Sequence, residues 1–154
     1  MREAVFYYKD PNAPKPNGPI HIGTSIFIEY GEKCLLDHRQ DNDSWALVGG
    51  GLDMEENFLQ GIRREVLEET GIRLADEEIC FYDIYDDPSR IACYPDGNIL
   101  RIITVVYRAK LSRLPQLICS EESRELRFFT KEEITRLPIT ETHWPIVADY
   151  LKRG

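Results

Sequence analysis

The sequence predicts one mixed α/β (α+β) domain in which strands outnumber helices. Three observations lead there. Apolar, β-branched and aromatic runs of strand length recur along the chain, separated by clusters of Gly, Pro, Asn and Asp. Two or three stretches break that pattern with helical spacing and cap residues. The length of 154 residues, 42% of them apolar, suits a single core over residues 1–154.

In chain order, residues 4–8 (AVFYY) read as a short strand. Residues 10–19 carry four prolines, which excludes regular structure there. This N-terminal strand and Pro-rich arm, residues 1–19, can serve the core, a lid or a dimer contact. Residues 22–30 and 33–38 are rich in Ile, Phe and Leu and read as two strands joined at Gly31-Glu32. Residues 41–44 form a polar loop, and Gly49, Gly50 and Gly51 make a further break. A helix follows over 57–70, with Gly71 as the residue just past its end. Residues 78–85 and 98–109 read as strands, the second strongly β-branched, and residues 86–97 between them as a long polar loop. A last strand over 125–129 runs into a short helix announced by the capping box Thr130-Lys131-Glu132-Glu133. Trp144-Pro145 opens a terminal helix ending near Arg153.

Charge and cysteine usage narrow the function classes. Lys and Arg number 19 against 27 Asp and Glu, a formal net charge of −8. Binding to a nucleic-acid backbone draws its affinity from the opposite balance, so no nucleic-acid partner is expected. An acidic protein can still hold a polyphosphate where a metal supplies positive charge. Cys34, Cys80, Cys93 and Cys119 contain no C-x-x-C pair. Neither a zinc knuckle nor a disulfide framework is indicated, and a reducing cytoplasm is expected. No apolar run approaches the length needed to cross ~30 Å of hydrocarbon, and the N-terminus lacks the apolar run of a signal peptide. A soluble protein with no membrane partner is expected.

The informative stretch is residues 50–72, GGLDMEENFLQGIRREVLEETGI. At ~100° per residue, Phe58, Leu59, Ile62 and Val66 share one buried stripe. Glu65, Glu68 and Glu69 stand at i, i+3 and i+4 on a face that adjoins it. Like charges at that spacing repel by some tenths of a kcal/mol per pair. Two readings fit: a solvated acidic face, or a site where a divalent cation turns repulsion into ligation. Three features favour the second. The glycine-rich turn lets backbone approach a metal or phosphate. Glu56 and Arg64 can pair across the loop–helix junction, and Gly71-Ile72 returns the chain to the core.

These positions match G-x5-E-x7-R-E-U-x-E-E-x-G-U, where U is a bulky aliphatic: Gly50, Glu56, Arg64, Glu65, Val66, Glu68, Glu69, Gly71 and Ile72. At background frequencies near ~7% per residue, a chance match anywhere in the chain is on the order of one in 10⁷. The stretch resembles the box of the Nudix hydrolases, and the order of elements from residue 20 to 153 resembles the same family. The resemblance implies a Nudix-type α/β/α sandwich around a mixed β-sheet. It implies hydrolysis of the diphosphate linkage of a nucleoside diphosphate joined to a group X, with Mg²⁺ as cofactor and Mn²⁺ as its substitute. Nucleotide sugars or ADP-ribose-like molecules come first as substrates, and nucleoside triphosphates second. Metal ligands are implied at Glu65 and Glu69, with Glu68 as further ligand or water-activating base and Gly49 as carbonyl donor. Glu56 and Arg64 would hold loop and helix in register. The alternative is a Nudix-fold sensor that binds a nucleotide without cleaving it, although such domains tend to lose the box glutamates kept here. A homodimer is an option the resemblance leaves open. Where the family commonly has proline before the glycines, this chain has Val48, which loosens the preset backbone of the loop.

Outside the box, Glu122 stands where the family often places a further acidic ligand or base; its other reading is an ordinary loop charge. Arg39 resembles a family arginine that reaches substrate phosphate, against a surface salt bridge. Arg90, Tyr94 and Asp96 give the 86–97 loop charge and an aromatic face with which to read a substrate, against an excursion of no consequence. Trp45 is expected to anchor the loop. Phe6, Tyr7 and Tyr8 are expected to complete a sheet rather than stack a base. His21, His38 and His143 share no ligand spacing and are expected to be non-catalytic.

Overall fold

Alternate residues of the central strands are apolar on both sides, and this dictates a sheet covered on two faces. The computed structural model describes residues 4–40 and 43–153; residues 1–3, and Asp41 and Asn42 of the expected polar loop, lie outside the described residues. The strands are β1 (Val5–Tyr7), β2 (His21–Tyr30), β3 (Lys33–Arg39), β4 (Trp45–Ala46), β5 (Val48–Gly51), β6 (Ile79–Tyr85), β7 (Ile91–Cys93), β8 (Ile99–Leu111) and β9 (Ser123–Thr130). The helices are α1 (Phe58–Thr70), α2 (Lys131–Ile134) and α3 (Trp144–Arg153). A 3₁₀ turn, Asp76–Glu78, leads into β6. Among the described residues no helix is long and apolar enough to cross a membrane.

The sheet is mixed, as expected. Strand β2 runs parallel to β8 from His21↔Ile102 to Tyr30↔Leu111, whereas β3, β5, β6, β7 and β9 pair antiparallel with their neighbours. Ile26, Ile28 and Leu35 face α1 and pack with Ile62, Val66 and Val48. Phe27 and Leu36, the intervening residues, face the other way onto Ile134, Ile146, Val147 and Tyr150 of α2 and α3. The result is the three-layer α/β/α sandwich.

Helix α1 begins with a reciprocal cap. The Asn57 side chain accepts from the Gln60 N–H, and the Gln60 side chain accepts from the Asn57 N–H, both at 2.9 Å. It ends at Gly71, whose φ of 78° turns the chain away. The capping box at Thr130 forms in the same reciprocal way with Glu133.

Two expectations are corrected. The 49–51 glycines are not a loose break: Gly49, Gly50 and Gly51 lie in β5, paired with Ser25, Thr24 and Gly23 of β2. That pairing supplies the rigidity that proline would otherwise give, and Val48 is fully buried in the core. Residues 86–97 are not an open polar loop either. Strand β7 runs through them, pairing with β8 on one edge and with β1 on the other. The N-terminal strand therefore belongs to the sheet, through Phe6↔Ala92, and packs with Ala4, Ala92 and Ile102.

Candidate active site

Glycine lets strand β5 lie close against β2 on one side and against the glutamates of α1 on another. A Cβ on Gly49 (φ 151°) would lie 2.0 Å from the Thr24 carbonyl oxygen. One on Gly50 would lie 2.6 Å from Oε1 of Glu65. With no side chains there, the helix brings its glutamates onto the strand backbone, and the Gly49 N–H donates to Oε2 of Glu69 at 2.9 Å.

Arg64 ties the junction together. Its Nη2 donates to Oε1 of Glu56 at 2.6 Å and to the Gly51 carbonyl at 3.1 Å, and its Nε donates to Oε2 of Glu56 at 3.0 Å. Nη1 reaches Oε1 of Glu65 at 2.9 Å and Oε2 of Glu68 at 3.3 Å. One guanidinium thus orients two glutamates of the helix and the last glycine of β5. The same contact holds the Glu56 carboxyl down to about 2. A depressed carboxyl stabilises the fold above the ordinary carboxylate range near 4.5 and loses that contribution as pH falls toward about 2. Glu56→Gln is therefore expected to flatten the acid limb of a Tm-against-pH curve in that interval. A limb as steep as that of the wild type would show that the pair does not set it.

Glu69 and Glu65 are pushed the other way. Burial raises the Glu69 carboxyl to about 9; the Gly49 N–H opposes this, and the charges of Asp37, Glu65 and Glu122 add to it. Glu65 is raised by burial, against the pull of Arg64. Half-desolvated carboxylates that repel one another form a hard oxygen donor set whose repulsion a divalent cation would relieve. As the side chains lie, no three His, Cys, Asp or Glu groups among the described residues converge on one point. Glu65 and Glu68 are turned to Arg64, and Glu69 to Gly49. The donor chemistry fits a cation, and rotation of these side chains toward one would complete the set.

Beside the glutamates opens a cleft of about 140 Å³. The β5 glycines, Glu69, Asp37, Arg39, Leu47 and His143 line it. Phe6, His21 and Tyr94 line it as well, with the His21 and Tyr94 rings edge to face at 6.5 Å. Of the residues expected at a site, Glu69, Gly49, Gly50, Arg39 and Tyr94 line this cleft. Glu122 is exposed in the turn before β9, close enough for its charge to act on Glu65 and Glu69.

Arg90 is a correction. It is 1% exposed, and its guanidinium donates to the backbone carbonyls of Thr142, Tyr85 and Ile102. Spent on three carbonyls inside the protein, it clamps segments together and cannot meet a substrate. The cation is desolvated, which lowers it to about 10.

Sequence reasoning missed Asp37 and His143 as cleft residues. Asp37 was within reach, because it stands two residues from Arg39 on a strand and so shares its face. His143 gave no such signal. The segment before α3 is latched to β4, with the Trp45 N–H donating to the Pro138 carbonyl and the Thr140 N–H to the Trp45 carbonyl. His143 then accepts the Leu47 N–H at Nδ1, 3.1 Å away. Burial, with Arg90 and Arg39 nearby, pushes its ring down to about 3, so it is neutral. His38 is turned away from the cleft and stacks on Trp45 at 4.5 Å.

Comparison with known proteins agrees with this architecture. The NUDIX domain family model matches residues 19–150. A "MutT-like protein" from Streptomyces ambofaciens is 32% identical over 91 residues, covering 54% of this chain and 58% of that one. A "nucleoside triphosphatase NudI" from Enterobacter sp. (strain 638) is 31% identical over 99 residues, covering 63% and 69%. Among solved structures, a MutT/nudix family protein from Enterococcus faecalis superposes with a TM-score of 0.60 at 27% identity, covering 77% of this chain and 46% of that one. This chain thus spans little more than half the length of the first relative and under half of the Enterococcus protein.

Proposed function

This chain belongs to the Nudix family, and from that premise we propose that it is a divalent-cation-dependent hydrolase of a diphosphate linkage. The substrate is a nucleoside diphosphate joined to a further group. The observation that carries the reading is the placement of the partly desolvated Glu65 and Glu69 against the β5 glycines, with Glu69 lining a cleft that also holds Arg39. Glu65, Glu68 and Glu69, with the Gly49 carbonyl, are the groups that would hold Mg²⁺ or Mn²⁺. Such an ion supplies charge neutralisation at the bridging and leaving oxygens and a water of lowered pKa.

The chain's own groups do the rest. Arg64 fixes the direction of Glu65 and the Gly51 carbonyl. Arg39 binds a phosphate, bidentate where its fork allows. Tyr94, His21 and Phe6 border the space left for the nucleoside. Glu122 accepts a proton from the attacking water. Glu122→Gln is accordingly expected to lower kcat on the order of 10²-fold with KM little changed. An unchanged kcat would make it an ordinary loop charge.

Substrates of the nucleotide-sugar and ADP-ribose type remain the first reading. The Enterobacter relative's name as a nucleoside triphosphatase is the observation that favours triphosphates as the second. Phosphate release through a coupled phosphatase, from a panel of both classes with Mg²⁺ and then with EDTA, decides between them. Turnover that EDTA abolishes is the expected result. Nucleotide-induced thermal stabilisation with no turnover across the panel would overturn the hydrolase in favour of a sensor.

A further inference from the structure

Thr24 of β2 is 1% exposed and lines the cleft, and its Oγ1 has no hydrogen-bond partner among the described residues. A buried hydroxyl in that condition costs stability, and native proteins keep few of them. Its side chain lies on the α1 face of the sheet. Ile26 and Ile28 follow it at the two-residue period of a strand and belong to the cluster of Ile62 and Val66. Val105, its neighbour on the parallel strand β8, lies in the same cluster. Across the antiparallel pair, Thr24 stands directly opposite Gly50. The Cβ positions of such a pair lie about 4.5–5.5 Å apart on one face. A Cβ on Gly50 would meet the Glu65 carboxyl group, 2.6 Å from Oε1 and 2.8 Å from Oε2. The Thr24 hydroxyl and the Glu65 carboxylate therefore share one face of the β2–β5 pair, one strand spacing apart.

We propose that Thr24 is a positioning residue, whose hydroxyl donates to the Glu65 carboxylate when that group turns from Arg64 to hold a divalent cation. As the side chains lie, Nη1 of Arg64 donates to Oε1 of Glu65 at 2.9 Å, and the Thr24 hydroxyl bonds to neither oxygen. Rotation of Glu65 toward a cation gives up that contact with Arg64. A carboxylate that ligates through one oxygen accepts a donor on the other, and Thr24 is a buried donor on its own face. The hydroxyl then gains the partner it lacks. Donors standing behind a metal ligand fix its direction and raise metal affinity. Valine would fill the same space without an unmatched hydroxyl. Threonine here thus costs the fold something that valine would not, and cation binding recovers it. The inference rests on the reading above of Glu65 as a cation ligand.

The test titrates Mn²⁺ alone into the full chain, following free Mn²⁺ by its electron paramagnetic resonance signal, and pairs this with Tm in EDTA. Thr24→Val is expected to weaken Mn²⁺ binding about tenfold. In EDTA the same variant is expected to melt about 2–5 °C higher, because the unmatched hydroxyl is gone. Opposite signs separate a positioning role from a packing role, which would move both readings in one direction. Thr24→Ser keeps the hydroxyl and is expected to bind Mn²⁺ within about twofold of the wild type, whatever the lost methyl does to Tm. In a Glu65→Ala background, which removes the acceptor, Thr24→Val is expected to add no further loss of affinity. Unchanged Mn²⁺ affinity in Thr24→Val, or a full additional loss on top of Glu65→Ala, would overturn the positioning role. So would a lower Tm of Thr24→Val in EDTA, because the hydroxyl would then have a partner already. Absence of Mn²⁺ binding by the wild-type chain would instead overturn the cation reading of Glu65 itself, and the inference with it.

Discussion

Glu69→Gln is expected to remove metal-dependent turnover, by at least about 10²-fold, and to leave the fold intact. The amide keeps an oxygen that can accept the Gly49 N–H, which Glu69 accepts at 2.9 Å, but it cannot supply a charged donor to a cation. The stability consequence has a definite sign. The Glu69 carboxyl is raised to about 9 by burial first and by Asp37, Glu65 and Glu122 after it. Between the ordinary carboxylate range near 4.5 and about 9 the folded chain holds this proton and the unfolded chain releases it, so stability falls as pH rises across that window. In EDTA, the glutamine variant should therefore lose less Tm than the wild type between pH 5 and pH 9. At pH 8 it should be at least as stable. Wild-type turnover with unchanged metal dependence would remove Glu69 from the site.

Arg64→Ala is expected to be the most damaging change to the helix–strand junction. It strips the partner from Glu56, Glu65 and Glu68 and leaves the Gly51 carbonyl without its guanidinium donor. Four carboxylates, counting Asp53 at 3.3 Å, then face one another with no cation between them. A loss of about 2–4 kcal/mol is expected, read as a lower urea midpoint. Activity should fall with it, since Glu65 loses the group that aims it. Arg64→Lys should recover part of the stability through its charge and little of the activity, because a point charge cannot serve several acceptors as the planar fork does. An unchanged urea midpoint in the alanine variant would show that the network is ornamental to stability.

The residues behind these two effects, though not the full Arg64 network or the burial of Glu69, were legible in the sequence, because the box is local. Helix periodicity alone places Glu65, Glu68 and Glu69 on one face, and Gly71 and Asn57 bound the helix by rules that operate within a turn. The strands of the core were legible for the same kind of reason: β2, β3 and β8 carry long apolar, β-branched runs that fit no other structure. Strand β7 was not. It is three residues long, and its neighbours Asp86, Asp87, Pro88, Pro95 and Gly97 read as loop; only pairing with β1 and β8 makes it a strand.

The same division explains the residues whose roles changed. Charge and position made Arg90 look like a substrate arginine, but the destination of a long side chain is decided by which carbonyls the fold leaves unpaired nearby. Here those are Tyr85 just before it, Ile102 on β8, and Thr142, 52 residues further along the chain. His143 and Phe6 reach the cleft through the latch of residues 138–143 onto β4 and through the β1–β7 pairing. By itself, the sequence determined the box, its helix and the acidic face, because those depend on spacing within one element. Tertiary structure alone decided which arginine lines the cleft and which is buried, because that depends on how separate strands and loops come together.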